Sequence, residues 1–208
     1  MAMGERSAFS ANRGLTLPEV CLALCLLGLA AAVVLPYTAV LIDGARLSAA
    51  SNRVTLLFRD LRYRAIARAN CCGILFGLAA DGGTVVYLVA EDGNANGIRR
   101  AEVESGVDPL VAGPVNLPAE HGGVRFGILD PGPVPVLPPG SGAIQNPADP
   151  IRFGSSDLVS FTPNGTSSSG TVYLLSPRGR MRAVSLYGVT GRLRVWDYLP
   201  ARGTWARR

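Results

Sequence analysis

Arg13-Gly14-Leu15-Thr16-Leu17-Pro18-Glu19 opens directly onto an apolar run that continues from Val20 to Ile42. A hydrophilic stretch, Met1 to Gly14, precedes it and carries Arg6 and Arg13. The run is long enough to span a bilayer as a helix. The residue that does not fit is Glu19, a carboxylate at the mouth of that segment. An ionisable group inside hydrocarbon costs roughly 2.5–3.5 kcal/mol on insertion scales, and such groups have partners. Proteolysis could make one. Cleavage after Gly14 would leave Leu15 with a free α-amino group, whose pKa near 8 keeps it mostly protonated at neutral pH. That cation could pair with Glu19 one helical turn along, or with Glu19 of a neighbouring chain.

A secretory signal peptide explains this stretch less well. It would need a shorter apolar core followed by a small-residue cleavage site. Here Pro36-Tyr37-Thr38 follows the apolar core, and Ala30-Ala31-Ala32 lies inside it. A plain signal anchor gives no reason for Glu19, nor for Gly14 ahead of Leu15.

Gly14, Leu15, Thr16, Leu17 and Glu19, with Pro18 in the free position, closely resemble the prepilin-peptidase signal of type IV pilins and type II secretion pseudopilins. The resemblance implies a cytoplasmic leader, cleavage after Gly14 by prepilin peptidase and N-methylation of Leu15. It further implies that Glu19 neutralises a neighbour's N-terminus as other pilins join through the N-terminal helix. The expected location is the bacterial inner membrane, single-pass, with a periplasmic C-terminal domain, and a filament or its tip after assembly. The domain division that follows is 1–14 leader, 15–42 transmembrane and assembly helix, 43–72 amphipathic continuation, and 73–208 β-rich globular domain.

At 208 residues the chain has room for one anchored domain and not for two large ones. Its formal net charge is +5, and all 20 basic residues are arginine. Cys21 and Cys25 fall in the apolar run and read as small apolar residues. Cys71 and Cys72 are adjacent, and the geometry of a disulfide favours two thiols in different environments over a bond between neighbours.

From Asp43 to Ala69 the apolar positions Leu47, Ala50, Val54, Leu57, Leu61 and Ala65 recur at three- and four-residue steps, with Arg46, Arg53, Arg59, Asp60, Arg64 and Arg68 elsewhere. This predicts an amphipathic continuation whose apolar stripe packs on a globular domain. An unbroken helix from Leu15 to about Ala69 would be roughly 80 Å long, with a bend or local loosening at Pro36.

After Asn70 the period changes to two. Gly73–Ala79 and Thr84–Glu91 read as a hairpin around Asp81-Gly82-Gly83. Val124–Ile128, Leu158–Thr162, Thr171–Ser176, Met181–Tyr187 and Arg192–Trp196 are further short strands, separated by turn residues such as Pro163-Asn164-Gly165 and Pro177-Arg178-Gly179. Between Asp130 and Pro150 proline and glycine predict a long extended loop. The fold class expected is α+β: a long N-terminal helix, transmembrane and then amphipathic, packed on a C-terminal antiparallel β-sheet domain. In order, Phe161-Thr-Pro-Asn-Gly165, the strand from Gly170, and Gly191-Arg192-Leu193-Arg194 resemble the C-terminal sheet of the GspH/FimT group of minor pilins and pseudopilins.

Two constellations could bind ligands. Asp92-Gly93-Asn94-Ala95-Asn96-Gly97 matches the first half of an EF-hand-type calcium loop. Val103 stands where the bidentate Glu belongs, with Glu102 and Glu104 on either side, so a calcium set would be Asp92, Asn94, Asn96 and Glu102. A solvated Asx-Gly turn between strands accounts for the same residues. From Arg178 to Arg208 eight arginines face one acid, Asp197, with Trp196, Tyr198 and Trp205 interleaved. Arg180 and Arg182 alternate on one predicted strand, Arg192 and Arg194 on the next. If the strands pair, four guanidinium groups crowd together, which suits a DNA phosphate backbone. The resemblance adds that some FimT-type minor pilins bind DNA during natural uptake. A solvated basic face, or arginines meeting acids on the next filament subunit, would use the same residues.

Nucleophile elbow, P-loop and dinucleotide fingerprint are all missing from the sequence, and His121, the single histidine, sits in a Gly-rich loop and reads as solvated. The chain is therefore not expected to be an enzyme. The reading is a minor pilin or pseudopilin, a structural subunit of a type II secretion pseudopilus or type IV pilus. A FimT-like DNA-binding minor pilin is the competing class, and a signal-anchored envelope protein that never polymerises is a third.

Overall fold

The computed structural model describes residues 16–79, 82–130 and 132–208. Gly14 and Leu15 lie outside them, as does Asp81 of the first hairpin turn. The chain divides into two compact units, residues 1–41 and 42–208.

Helix α1 (Leu17–Arg68) is continuous through Pro36. In the first unit its described side chains are largely solvent-facing, with Leu17, Leu22, Leu29 and Leu35 all more than half exposed. This portion is long and apolar enough to cross a membrane.

The second unit begins with the rest of α1, whose apolar stripe is buried at Leu47, Ala50, Val54, Phe58, Leu61 and Ala65. One position differs from the sequence expectation. Phe58 is 1 % exposed, while Leu57 is only half-buried. The stripe advances by four residues from Val54, keeping the larger ring in the centre of the core. There Phe58 meets Phe153 and Phe161, each at a ring-centroid distance of 6.1 Å.

Two antiparallel sheets flank this helical segment. The first has the order β3 (Leu110–Val115), β2 (Val85–Glu91), β1 (Cys72–Leu78), β6 (Leu158–Phe161). The second has the order β10 (Thr204–Arg207), β9 (Arg192–Leu199), β8 (Met181–Tyr187), β7 (Gly170–Leu175), β4 (Arg125–Phe126), with β5 (Ile151–Arg152) also paired to β7. Short helices α2 (Arg100–Ser105) and α3 (Leu117–Glu120) lie between β2 and β4. The architecture is α+β and pilin-like, as the sequence leads one to expect. Its additions are β3, β5, β10 and the two short helices.

Both faces of each sheet carry apolar residues, which explains the unbroken apolar stretch of β1. Cys72, Ile74 and Phe76 join the main core with the helix, together with Val172, Leu174, Val184 and Leu186 of the second sheet. On the reverse of the first sheet Leu75 and Ala90 pack with Ile98 and Val103. On the reverse of the second, Tyr173, Met181, Trp196 and Trp205 pack under Ile128, Val134 and Ile144.

The Asp130–Pro150 stretch is thus a structural cover as well as a loop. Pro135 and Ala143 form an isolated bridge, and the Trp205 Nε1–H donates to the Pro135 carbonyl at 2.7 Å.

Cys71 and Cys72 follow from strand alternation. Cys72 faces the main core and Cys71 the smaller cluster behind β1, and both are free thiols. Burial pushes the Cys72 thiol up to about 11, with the Glu91 carboxylate adding to the shift.

Candidate functional site

Glu19 sits three residues into the start of α1, where the first backbone N–H groups have no helical acceptor. One carboxylate oxygen accepts from the Thr16 backbone N–H and from the Thr16 hydroxyl, both at 2.8 Å. Thr16-Leu17-Pro18-Glu19 is therefore a capping-box spacing, with Pro18 supplying no donor that would need satisfying. The sequence holds that signal, Thr-x-x-Glu ahead of an apolar run.

The acidic loop after β2 brings Asp92, Asn94, Asn96 and Glu102 together. The Asp92 carboxylate is buried and accepts from the backbone N–H of Asn94 at 3.1 Å and of Gly97 at 2.6 Å. Glu102, on α2, accepts from the side-chain amides of Asn96 at 3.0 Å and Asn94 at 3.4 Å. Asp108, fully buried, accepts from the Gly93 and Arg99 backbone N–H groups and closes the loop from the other side. A Cβ at Gly93 would collide with the Val107 carbonyl oxygen, so the close return of the chain depends on that glycine.

These hydrogen bonds are met within the loop, and the asparagines turn amide nitrogen towards Glu102, whereas a cation needs oxygen. Among the described residues no three His, Cys, Asp or Glu side chains are grouped to hold a metal. Millimolar calcium is accordingly expected to leave the thermal unfolding midpoint unchanged. A rise that disappears in Asp92→Ala would assign calcium to the loop after all.

The four arginines do not form one cluster. Arg180 lies in the turn before β8, where its guanidinium packs over Gly44. Arg182 pairs in register with Asp197, and Arg194 with Ser185 and Arg192 with Tyr187. Cross-strand partners share a face, so Arg182 points towards the helix while Arg192 and Arg194 point to the opposite face. The surroundings of Arg182 agree. It is 6 % exposed, its Nε–H donates to Asp197 at 2.5 Å, and one terminal nitrogen donates to the hydroxyls of Ser48 and Ser51 on α1. This corrects the expectation for Arg182: it ties the helix to the second sheet and is not available to phosphate.

Arg194 lies over the Tyr187 ring at 5.0 Å from its centroid and donates to the Tyr187 hydroxyl at 3.3 Å. Arg192 is exposed beside it.

Close to this outer face the register places a residue that sequence reasoning passes over. Arg152 of β5 pairs with Thr171, Thr171 with Ser185, and Ser185 with Arg194. Two arginines thus end a single row across four strands, with two hydroxyls between them. Arg152 escapes notice because the Asp130–Pro150 stretch sets it apart, well before the arginine-rich C-terminal segment. His121 is in a turn, as expected, but is half-buried: it follows α3, and its Nε2 is buried without a hydrogen-bond partner among the described residues.

No family model, no curated protein and no solved structure matches this chain.

Proposed function

We propose that this chain is a minor pilin or pseudopilin, made as an inner-membrane precursor, cut after Gly14 by prepilin peptidase and assembled through its N-terminal helix into a pseudopilus, a type IV pilus or the tip of either. The observation that carries the reading is Glu19 at the head of a long, exposed, apolar helix segment, five residues after a glycine that follows a basic leader. The pilin-like order of one long helix followed by antiparallel sheets supports it. In this reading the two hydrogen bonds that Thr16 donates to Glu19 hold the carboxylate at the helix N-terminus, where the new α-amino group of Leu15 arises.

Cleavage is read directly by intact mass. Protein purified from membranes that contain prepilin peptidase is expected to begin at Leu15, with a methyl group on its nitrogen. A chain that keeps Met1–Gly14 under those conditions would refute the assignment. A bulky residue in place of Gly14 should block processing, because the peptidase implied by this motif cuts after glycine.

A further inference from the structure

The outer face of the second sheet is only half covered. Trp196, Trp205 and Tyr173 lie beneath the Val134–Ile144 hairpin. The other half is a cleft with two adjoining lobes that share Ser169 and Tyr187. One lobe, about 300 Å³, has an aliphatic wall from Val136 to Pro139 and a floor that includes Arg152, Thr171 and Ser185. The other, about 360 Å³, is lined by Arg192 and Arg194. No carboxylate lines either lobe among the described residues.

The Nε atoms of Arg152 and Arg194 are both buried and have no hydrogen-bond partner among the described residues. A buried guanidinium N–H without an acceptor is costly, and these two stand at the ends of the same cross-strand row. Three strand spacings separate them along the backbone, roughly 14 Å. An extended chain covers that distance in about four residues.

We propose that this cleft binds an extended acidic peptide segment of a partner protein, with carboxylates on Arg152 and Arg194 and aliphatic side chains against the Val136–Pro139 wall. Charge complementarity names the carboxylates, since three arginines face the cleft without an acid among the described lining residues. The wall names their aliphatic neighbours. It is held in place by the Pro135–Ala143 bridge and the Trp205 bond, so little ordering is required on binding.

A nucleic-acid strand fits less well. Single strands bind on exposed aromatic faces. Here the Tyr187 ring is covered by Arg194, and Tyr173 is buried against Trp205 at 5.9 Å. The site does not depend on Gly14 or Glu19 and goes beyond the assembly reading.

The test uses the full chain in non-ionic detergent and a fluorescein-labelled, end-blocked hexapeptide of alternating Asp and Leu, followed by anisotropy. Alternation places the carboxylates on one side of the extended peptide and the leucines on the other. Saturable binding is expected, and Arg152→Gln and Arg194→Gln should each weaken it by about tenfold or more in chains that still unfold cooperatively on heating. The same peptide with Asn in place of Asp should bind at least as weakly, a comparison that leaves the protein untouched. Failure of the folded wild-type chain to bind the Asp-Leu peptide would overturn the proposal, as would equal binding of the Asn-Leu peptide. A thymidine dodecanucleotide that displaces the peptide and shows the same dependence on both arginines would reassign the cleft to nucleic acid.

Discussion

Glu19→Leu is expected to insert into the membrane at least as well as the parent chain and to be nearly absent from filaments. Removing the carboxylate removes the cost of bringing a charge to the edge of the hydrocarbon layer. It also removes the partner for the α-amino group of Leu15 that the proposed assembly requires. The cap adds a complication, because Glu19 accepts two hydrogen bonds from Thr16. Glu19→Gln resolves it. Glutamine also serves at this position of a capping box but carries no charge. If charge is what assembly uses, Gln and Leu should fail alike. If the cap is what matters, Gln should assemble and Leu should not. Immunodetection of each variant in sheared filament and membrane fractions reads the outcome, and normal incorporation of Glu19→Leu would sink the assembly role outright.

The second large effect concerns the buried tie between α1 and the second sheet. Asp197→Ala leaves Arg182 charged, 6 % exposed and without its carboxylate, with only the Ser48 and Ser51 hydroxyls as acceptors. Removing one partner of a buried pair costs about 3–5 kcal/mol. The Asp197 side chain is 37 % exposed, so water can reach the vacated space and the low end, about 3 kcal/mol, applies. For a chain of this size that is a fall in Tm of roughly 6–12 °C. Arg182→Met combined with Asp197→Leu should recover much of the loss, since the penalty arises from an unpaired charge and not from the absence of a bond. Thermal unfolding of the single and double variants decides between them. A double variant that sums the losses of both singles would mean that the two residues act independently and would overturn the unpaired-charge account.

What can be read from the sequence, and what cannot, divides along a physical line. Local periodicity carries α1 and the hairpins, because burial of one face leaves a repeat that needs no knowledge of neighbours. Met181–Tyr187 and Leu158 onwards come out as expected for that reason. Leu57 takes the place of Phe58 in the sequence reading because the stripe drifts with the 3.6-residue turn, and two adjacent apolar residues cannot be ranked by spacing alone. Strand β3 is hidden by Gly113-Pro114 in its interior and by side chains that are nearly all exposed, so alternation is absent.

The arginine face shows the deeper limit. Alternation says which residues of one strand share a face, but faces on different strands are matched only by register. The loop 188–191 joins β8 to β9 so that every aligned pair couples an even-numbered residue to an odd-numbered one. Arg182 therefore cannot share a face with Arg192 or Arg194, and the length of that loop is the one clue the sequence offers. Arg152 has no such clue, because its neighbours arise from pairing across a loop with no regular period.

The two neighbouring thiols have a kinetic meaning. At neutral pH a group that titrates near 11 exists as the reactive thiolate about once in ten thousand molecules, and Cys72 is also wholly shielded from reagents. Its rate of alkylation therefore counts openings of the junction where α1 gives way to β1, while Cys71, half-exposed on the other face, reports local access. One chain thus carries its own paired clock: a fast hand set by the surface and a slow hand that advances only when the core lets go.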